Sequence, residues 1–313
     1  MRWATFVAPG ESRARAGHVV DDSVRAPAPA CDLVSLLGDD GTLLHEAAAN
    51  ATSRPDIVVP LADARLLAPI PQPPSVRDFY AFEQHVRTAR ERRGLEMDPD
   101  WYELPVFYFS SPSSLVGDGD DVAVPPDCKE LDFELEVAAI VGQAGRDLDA
   151  HAAAAHIAGF TIMNDWSARD VQRREMKLNL GPAKGKDFAT TLGPFLVTPD
   201  ELSDVAAGNA YDLTMTATVN GREYSRASLA DIYWNFGELV AYASKGTELR
   251  PGDVVGSGTC GTGCILELAL VHGTEEFPWL APGDAVTLTV DRLGSIANRV
   301  VAGGPAAAWR RPR

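Results

Sequence analysis

Asp132, Glu134 and Glu136 alternate with apolar residues in the stretch LDFELEVAAIVG, residues 131–142. Successive side chains on a strand point to opposite faces. Leu131, Phe133, Leu135, Val137 and Ala139 therefore share one face, and the three carboxylates share the other. No Lys or Arg lies among them to offset their repulsion. Two readings are open: the face is a solvated edge, or a cation sits on it. Apolar runs on both sides, AAIVG and the downstream IAGFTIMND, favour a buried, cation-filled site. Asp165 closes the downstream run beside Trp166, and Asp78 sits in RDFYAFEQH. Glu134, Glu136, Asp165 and Asp78 would make an all-oxygen ligand set. Hard cations such as Mg²⁺, Mn²⁺ or Ca²⁺ take such a set, whereas zinc prefers nitrogen and sulfur.

Acid–base chemistry near neutral pH calls for a histidine. His85, close to Tyr80 and Asp78 on an amphipathic helical pattern, is the best placed of the six. His151 and His156, in HAAAAH, do not share a helix face, and His18, His45 and His272 stand in plain surroundings. Glu267 lies in CILELALV, which reads as a strand that puts it on one face with Ile265 and Ala269. A carboxylate among so many apolar side chains needs a partner, and His85 is the one assigned. GSGTCGTG, just before it, reads as a flexible loop whose backbone amides and Thr259 hydroxyl could hold an oxygen. Its Gly256-x-Gly258-x-x-Gly261 spacing matches a dinucleotide fingerprint, which a following strand rules out. Cys260 and Cys264 have no second pair to complete a zinc site. No G-x-S-x-G elbow supports a serine hydrolase.

The elements that must position these groups are mainly β. Asn220-Gly221 between YDLTMTATV and REYSRA marks a hairpin, and Pro-Gly-Asp at 251–253 and 282–284 marks turns ahead of apolar runs. Helices are expected at 80–93, 149–157 and 228–245. The prolines of LLAPIPQPPSV divide a small N-terminal β domain, residues 1–68, from a main domain, residues 69–313. No regular strand–helix alternation supports a doubly wound sheet or a TIM barrel. The 313 residues carry a net charge of −16, which argues against nucleic acid and anionic membranes as partners. No apolar run approaches a membrane span, the start does not read as a signal peptide, and four scattered cysteines do not form a disulfide framework. Cytoplasmic residence with reduced thiols is expected.

Taken in order, DFYAFEQH, LPVFYFSSPSSLV, LDFELEVAAIVG, MNDWSARDVQ, LGPAKGKDFATT, LRPGD, SGT and ILEL resemble the fumarylacetoacetate hydrolase family across about residues 70–300. The resemblance implies a mixed β-sandwich or roll with a few helices and a small N-terminal β domain. It implies a divalent metal, Mg²⁺ first and Ca²⁺ or Mn²⁺ next, held by Asp78, Glu134, Glu136 and Asp165. Lys186 and Thr190 would stand beside the metal, with Lys186 also facing the reacting oxygen. Tyr80, Tyr108, Gln172 and Thr259 match substrate-contacting positions, His85 the general base, and Glu267 the carboxylate that orients it. Three departures bear on the acyl side of the substrate. Met176 replaces a substrate-contacting tyrosine of the eukaryotic enzyme. Arg90, Arg92 and Arg93 compete for the place of its substrate-binding arginine, and YFSSPSSLV lacks the usual Gly-Arg pair.

The expected activity is hydrolysis of a carbon–carbon bond in a β-diketone acid, fumarylacetoacetate or an acylpyruvate. The alternatives are a decarboxylase, or a tautomerase or hydratase, of oxaloacetate-like or 2-hydroxy-dienoate acids. An alternative of another class is a non-catalytic metal- and ligand-binding protein. The expected partners are a small keto acid and a second copy of the chain.

Overall fold

The computed structural model describes residues 1–91, 94–208 and 210–305. The chain is mostly strand, arranged in two principal sheets. Ten strands of the larger sheet run, from edge to edge, Ile57–Pro60, Ser23–Ala26, Ala14–Val20, Arg2–Val7, Thr190–Val197, Ile157–Asp165, Leu135–Val141, Val254–Gly256, Val76–Phe79 and Phe107–Ser110. Two short strands pair off this path. The smaller sheet holds Arg222–Ser228, Thr214–Val219, Ala285–Val290, Gly294–Val301 and Asp121–Ala123. Its hairpin closes at Asn220-Gly221, with φ of 51° and 80°, the conformation that Asn-Gly adopts readily.

The two sheets pack face to face. One core cluster joins Val137, Ile162 and Val197 of the larger sheet to Met215, Leu288 and Ile296 of the smaller. A second cluster, with Trp3, Leu44, Ile140 and Met163, fills the opposite face beneath helix α1 (Thr42–Ser53). The central strands are thus covered on both sides. This explains why residues 131–141 are buried without interruption, where alternation predicts one apolar and one polar face.

The acidic stretch is not one strand. Leu131–Asp132 pairs with Ser167–Ala168, Phe133 and Glu134 interrupt the pairing, and Leu135–Val141 joins the large sheet. The N-terminal strands belong to that same sheet, because Arg2 and Trp3 pair with Val197 and Leu196.

The expected helices appear in shortened form as α2 (Glu83–Glu91), α3 (Ala150–Ala155) and α5 (Phe236–Ser244). Asn235 and Glu238 form a reciprocal capping box that starts α5 well after residue 228. Helices α1 and α4 (Arg169–Met176) were not foreseen. Residues 265–272, read from sequence as a strand, form helix α6 (Ile265–His272). Cys264, Ile265, Glu267 and Leu268 are buried while Leu270 and Val271 are exposed, which is helical spacing. Leu and Ala, good helix formers, supply half of its eight residues.

Ile162 is fully buried on the central strand, between neighbours on both sides. Ile162→Ala should lower stability by about 2–5 kcal/mol, read from the urea midpoint of the purified protein.

Candidate active site and metal centre

Three strands of the large sheet bring four carboxylates to one place. Asp78 lies in Val76–Phe79, Glu136 in Leu135–Val141, and Asp165 ends Ile157–Asp165, while Glu134 sits just before Leu135. Carboxylate oxygens of Asp78, Glu134, Glu136 and Asp165 all lie within 4.8 Å of one another, and all four residues are buried. Thr190 is opposite Asp165 in the strand register, and Tyr108 is opposite Asp78.

Asp132 is the carboxylate that does not join. The sequence reading put it on one face with Glu134 and Glu136, but the break at Phe133–Glu134 sends it elsewhere. There it accepts hydrogen bonds from Arg169 and from the start of α6.

The positive charges missing from the acidic stretch arrive from other elements. Lys186 Nζ is 2.5 Å from Glu134 Oε2 and also bonds Asp165 Oδ2. Arg169 donates to Glu134 Oε1 at 2.6 Å and to Gln172 Oε1 at 3.1 Å. Lys186, as an ammonium, has no lone pair to offer a metal, so it borders the site through these two carboxylates. Burial alone would raise the Glu134 carboxyl, yet Lys186 and then Arg169 hold it below the usual range. Burial also opposes the Lys186 charge, but Asp165 and Glu134 keep its ammonium above the ordinary lysine value. The other three carboxyls are less well compensated. Burial, and then the Asp165 charge, pushes Asp78 up to about 8. Glu136 is driven well above the carboxylate range by burial and by Asp78, and Asp165 is raised by burial despite Lys186.

A divalent cation fits these residues. Glu136 Oε2, Asp165 Oδ1 and Thr190 Oγ1 are buried without a hydrogen-bond partner, an expensive arrangement unless something positive takes them up. The donor set is all oxygen, and four carboxylates face two side-chain cations, leaving negative charge to neutralise.

A histidine–carboxylate pair lies beside this cluster. His85, on α2, and Glu267, on α6, are buried, with Nδ1 2.9 Å from Glu267 Oε2. His85 and Cys264 each bring a ligand atom within 4.8 Å of a Glu134 oxygen. Cys264, set aside in the sequence reading, therefore borders the site, and burial keeps its thiol well above the ordinary thiol range. The Tyr80 ring stands edge-on to His85, with centroids 5.6 Å apart.

The loop after Gly256 is buried and closely packed rather than flexible. Gly258, at φ 77°, would place a Cβ 2.4 Å from the Phe79 carbonyl oxygen, and a Cβ on Gly256 would meet Asp78 Oδ1 at 2.5 Å. The Gly258 amide holds Asp78 Oδ1 at 3.2 Å, and the Thr259 hydroxyl reaches Glu136 Oε1 at 3.4 Å. Ser257 and Cys260 donate their amides to Val137 and Leu135. A helix does follow the Gly256-x-Gly258-x-x-Gly261 spacing, so a following strand no longer rules out the dinucleotide fingerprint. Topology does, because the preceding strand belongs to no strand–helix–strand unit and these amides are engaged within the protein.

Tyr108 donates to Asp165, and Gln172 is held by Arg169. Met176 is exposed at the end of α4. Arg90 is bound by Glu96 and Asp98, whereas Arg92 and Arg93 lie outside the described residues. Arg169 and Asn164, whose side chain accepts the Glu134 amide at 2.9 Å, were not singled out from sequence. Both stand in MNDWSARD, so the motif was legible even though their roles were not.

A family model described as the fumarylacetoacetate hydrolase C-terminal domain matches residues 75–301. The chain belongs to the fumarylacetoacetate hydrolase family. It is 32% identical to a fumarylacetoacetase of Oryza sativa subsp. japonica, over 82% of this chain and 72% of that protein. It is 31% identical to a mitochondrial oxaloacetate tautomerase of Rattus norvegicus, over 91% of this chain and 84% of that one. The fold matches a probable 2-hydroxyhepta-2,4-diene-1,7-dioate isomerase from Mycobacterium abscessus with a TM-score of 0.74 at 26% identity, covering 97% of this chain and all of that one. The fumarylacetoacetate hydrolase family thus brings hydrolases, tautomerases and isomerases alike within reach of this sequence. Among the described residues, no helix is long and apolar enough to cross a membrane.

Two outcomes follow from the carboxylate cluster. Glu136→Gln should leave the protein folded but weaken Mg²⁺ binding, measured by calorimetry, by more than the ~10-fold that loss of an outer partner costs. In metal-free protein the Asp78 carboxyl, up at about 8, holds its proton far more tightly than in the unfolded chain. Stability of the metal-free protein should therefore fall as pH rises from the ordinary carboxyl range through about 8, and thermal melts at pH 6 and 9 check the sign.

Proposed function

We propose that the chain is a metal-dependent hydrolase that cleaves a carbon–carbon bond in a β-diketone acid such as an acylpyruvate. The observation that carries this reading is the buried His85–Glu267 pair set against the carboxylate cluster. With Glu267 accepting at Nδ1, that nitrogen carries the proton and Nε2 is left to take one from water. The water oxygen then bonds to the distal carbonyl carbon, and Glu267 stabilises the imidazolium. The carbon–carbon bond breaks with its electron pair on the departing fragment as an enolate, and His85 returns the proton to that carbon. Lys186, kept charged by Glu134 and Asp165, is the fixed cation toward which the enolate oxygen is directed. Asp78, Glu134, Glu136 and Asp165 would hold a divalent cation, Mg²⁺ by preference, which would supply Lewis-acid polarisation of the substrate.

Tautomerisation of an oxaloacetate-like acid is the second reading. The same His85 can carry a proton between carbon and oxygen, and the rat relative is named for that reaction. A purely binding protein has no use for a buried, carboxylate-oriented base, which supports turnover of either kind.

The experiment compares variants on acylpyruvates, whose conjugated enol absorbance disappears on cleavage. His85→Ala should lower hydrolysis by ~10²- to 10⁴-fold while Mg²⁺ affinity stays close to that of the unaltered protein. Glu267→Gln should reproduce much of the loss. If both variants keep full rates on the best substrate found, water activation by His85 is excluded, and oxaloacetate tautomerisation becomes the reaction to assay.

A further inference from the structure

Asp132 is fully buried, lies outside the four-carboxylate cluster, and yet bonds two elements beside it. Its Oδ1 accepts the Ile265 amide at 2.7 Å, and its Oδ2 accepts the Leu266 amide at 2.9 Å and Arg169 Nε at 2.8 Å. Those amides open helix α6, whose own N-cap residue, Cys264, provides no side-chain cap. The next residue is Glu267, the carboxylate that fixes His85. Arg169 in turn reaches Glu134 and Gln172 through its other nitrogens.

We propose that Asp132 is a positioning residue for the base, fixing the start of α6, and through it Glu267, at a set distance from the metal-bearing Glu134. This rests on reading His85 and Glu267 as the base pair. An eight-residue helix with an exposed outer face does not hold its own first turn, and its unpaired amides demand an acceptor. A carboxylate suits that end of the helix dipole. What makes Asp132 more than a cap is its second partner. Arg169 bonds both Asp132 and Glu134, so a shift of the start of α6 relative to the carboxylate cluster must break hydrogen bonds of which three are buried and one part-buried. The aspartate thereby ties the geometry of the base to that of the metal site.

The test measures kcat and KM on an acylpyruvate, Mg²⁺ affinity by calorimetry, and the His85 Nδ1–H proton resonance in histidine-labelled protein. Asp132→Asn should lower kcat by ~10- to 100-fold, with little change in KM, and shift or broaden that resonance. Cys264→Ser, alone and combined with Asp132→Asn, separates positioning from stability. A serine at this extended N-cap position can cap α6 locally without restoring the tie to Arg169. The double variant should recover melting temperature relative to Asp132→Asn while kcat and the resonance stay perturbed. Recovery of all three would make Asp132 a stability cap and overturn the proposal. An unchanged kcat and resonance in Asp132→Asn would do the same. If His85→Ala retains hydrolysis, the base reading fails, and the resonance still judges the placement of Glu267 by Asp132. Should neither variant fold, amide exchange in the unaltered protein decides. Ile265 and Leu266 exchanging as slowly as the Leu135–Val141 core strand support the tie, and exchange at the rate of a fraying helix start refutes it.

Discussion

Mutual repulsion among four carboxylates in a dry interior is the constraint around which this protein is arranged. Each one alone would be costly to bury, and together they do not all ionise without help. The fold supplies that help unevenly. Glu134 receives Lys186 and Arg169, Asp165 receives Lys186 and Tyr108, Asp78 receives a glycine amide, and Glu136 shares a hydrogen bond with Asp78 and receives a distant hydroxyl. The deficit concentrates at Glu136 and Asp165, where the unpartnered oxygens are. A sheet sandwiched between two cores provides the rigidity to hold such a deficit in place. Its strand ends also bring together residues as far apart in sequence as Asp78 and Asp165.

The His85–Glu267 pair makes a different demand, for which the sheet is less suited. His85 and Glu267 stand on two short helices that leave the sheet beside the cluster, so their separation depends on how each helix is seated. The close packing of residues 256–264 serves this seating. Gly256 and Gly258 allow the loop to lie against Asp78 and Phe79, and the Leu135 amide accepts no slack, being bonded to the Gly263 carbonyl at 2.9 Å.

Much of the site could be read from sequence because its parts are local. The acids of LDFELE, the Asp165 that closes an apolar run, and the histidine of DFYAFEQH announce their chemistry by residue type and surroundings. What was misread depends on long-range contacts. ILEL looks like a strand because it is apolar, and only the distant Asp132 supplies the acceptors that start a helix there. The alternation of residues 131–136 predicts three acids on one face, but pairing with Ser167–Ala168 interrupts the strand and turns one of them away. Burial on both faces of the central strands also erases the polar–apolar rhythm from which faces are inferred. Helix α1 was hidden for a simpler reason: its Ala-rich run resembles a connection, and its buried stripe is only Leu44, Ala48 and Ala51.

The pairing of the first strand has a consequence for the order of events in synthesis. Residue 2 meets residue 197, and that partner strand begins at Thr190 on the edge of the carboxylate cluster. The amino-terminal hairpin emerges from the ribosome long before the strand that completes it. Thr5–Val7 can meet Arg65–Leu67 early, but Arg2 and Trp3 wait for their partners, and an unpaired strand edge is open to wrong ones. Such distant pairing makes for slow folding. The sequence distance between these strands, rather than the chemistry of the cluster, orders how the sheet is completed.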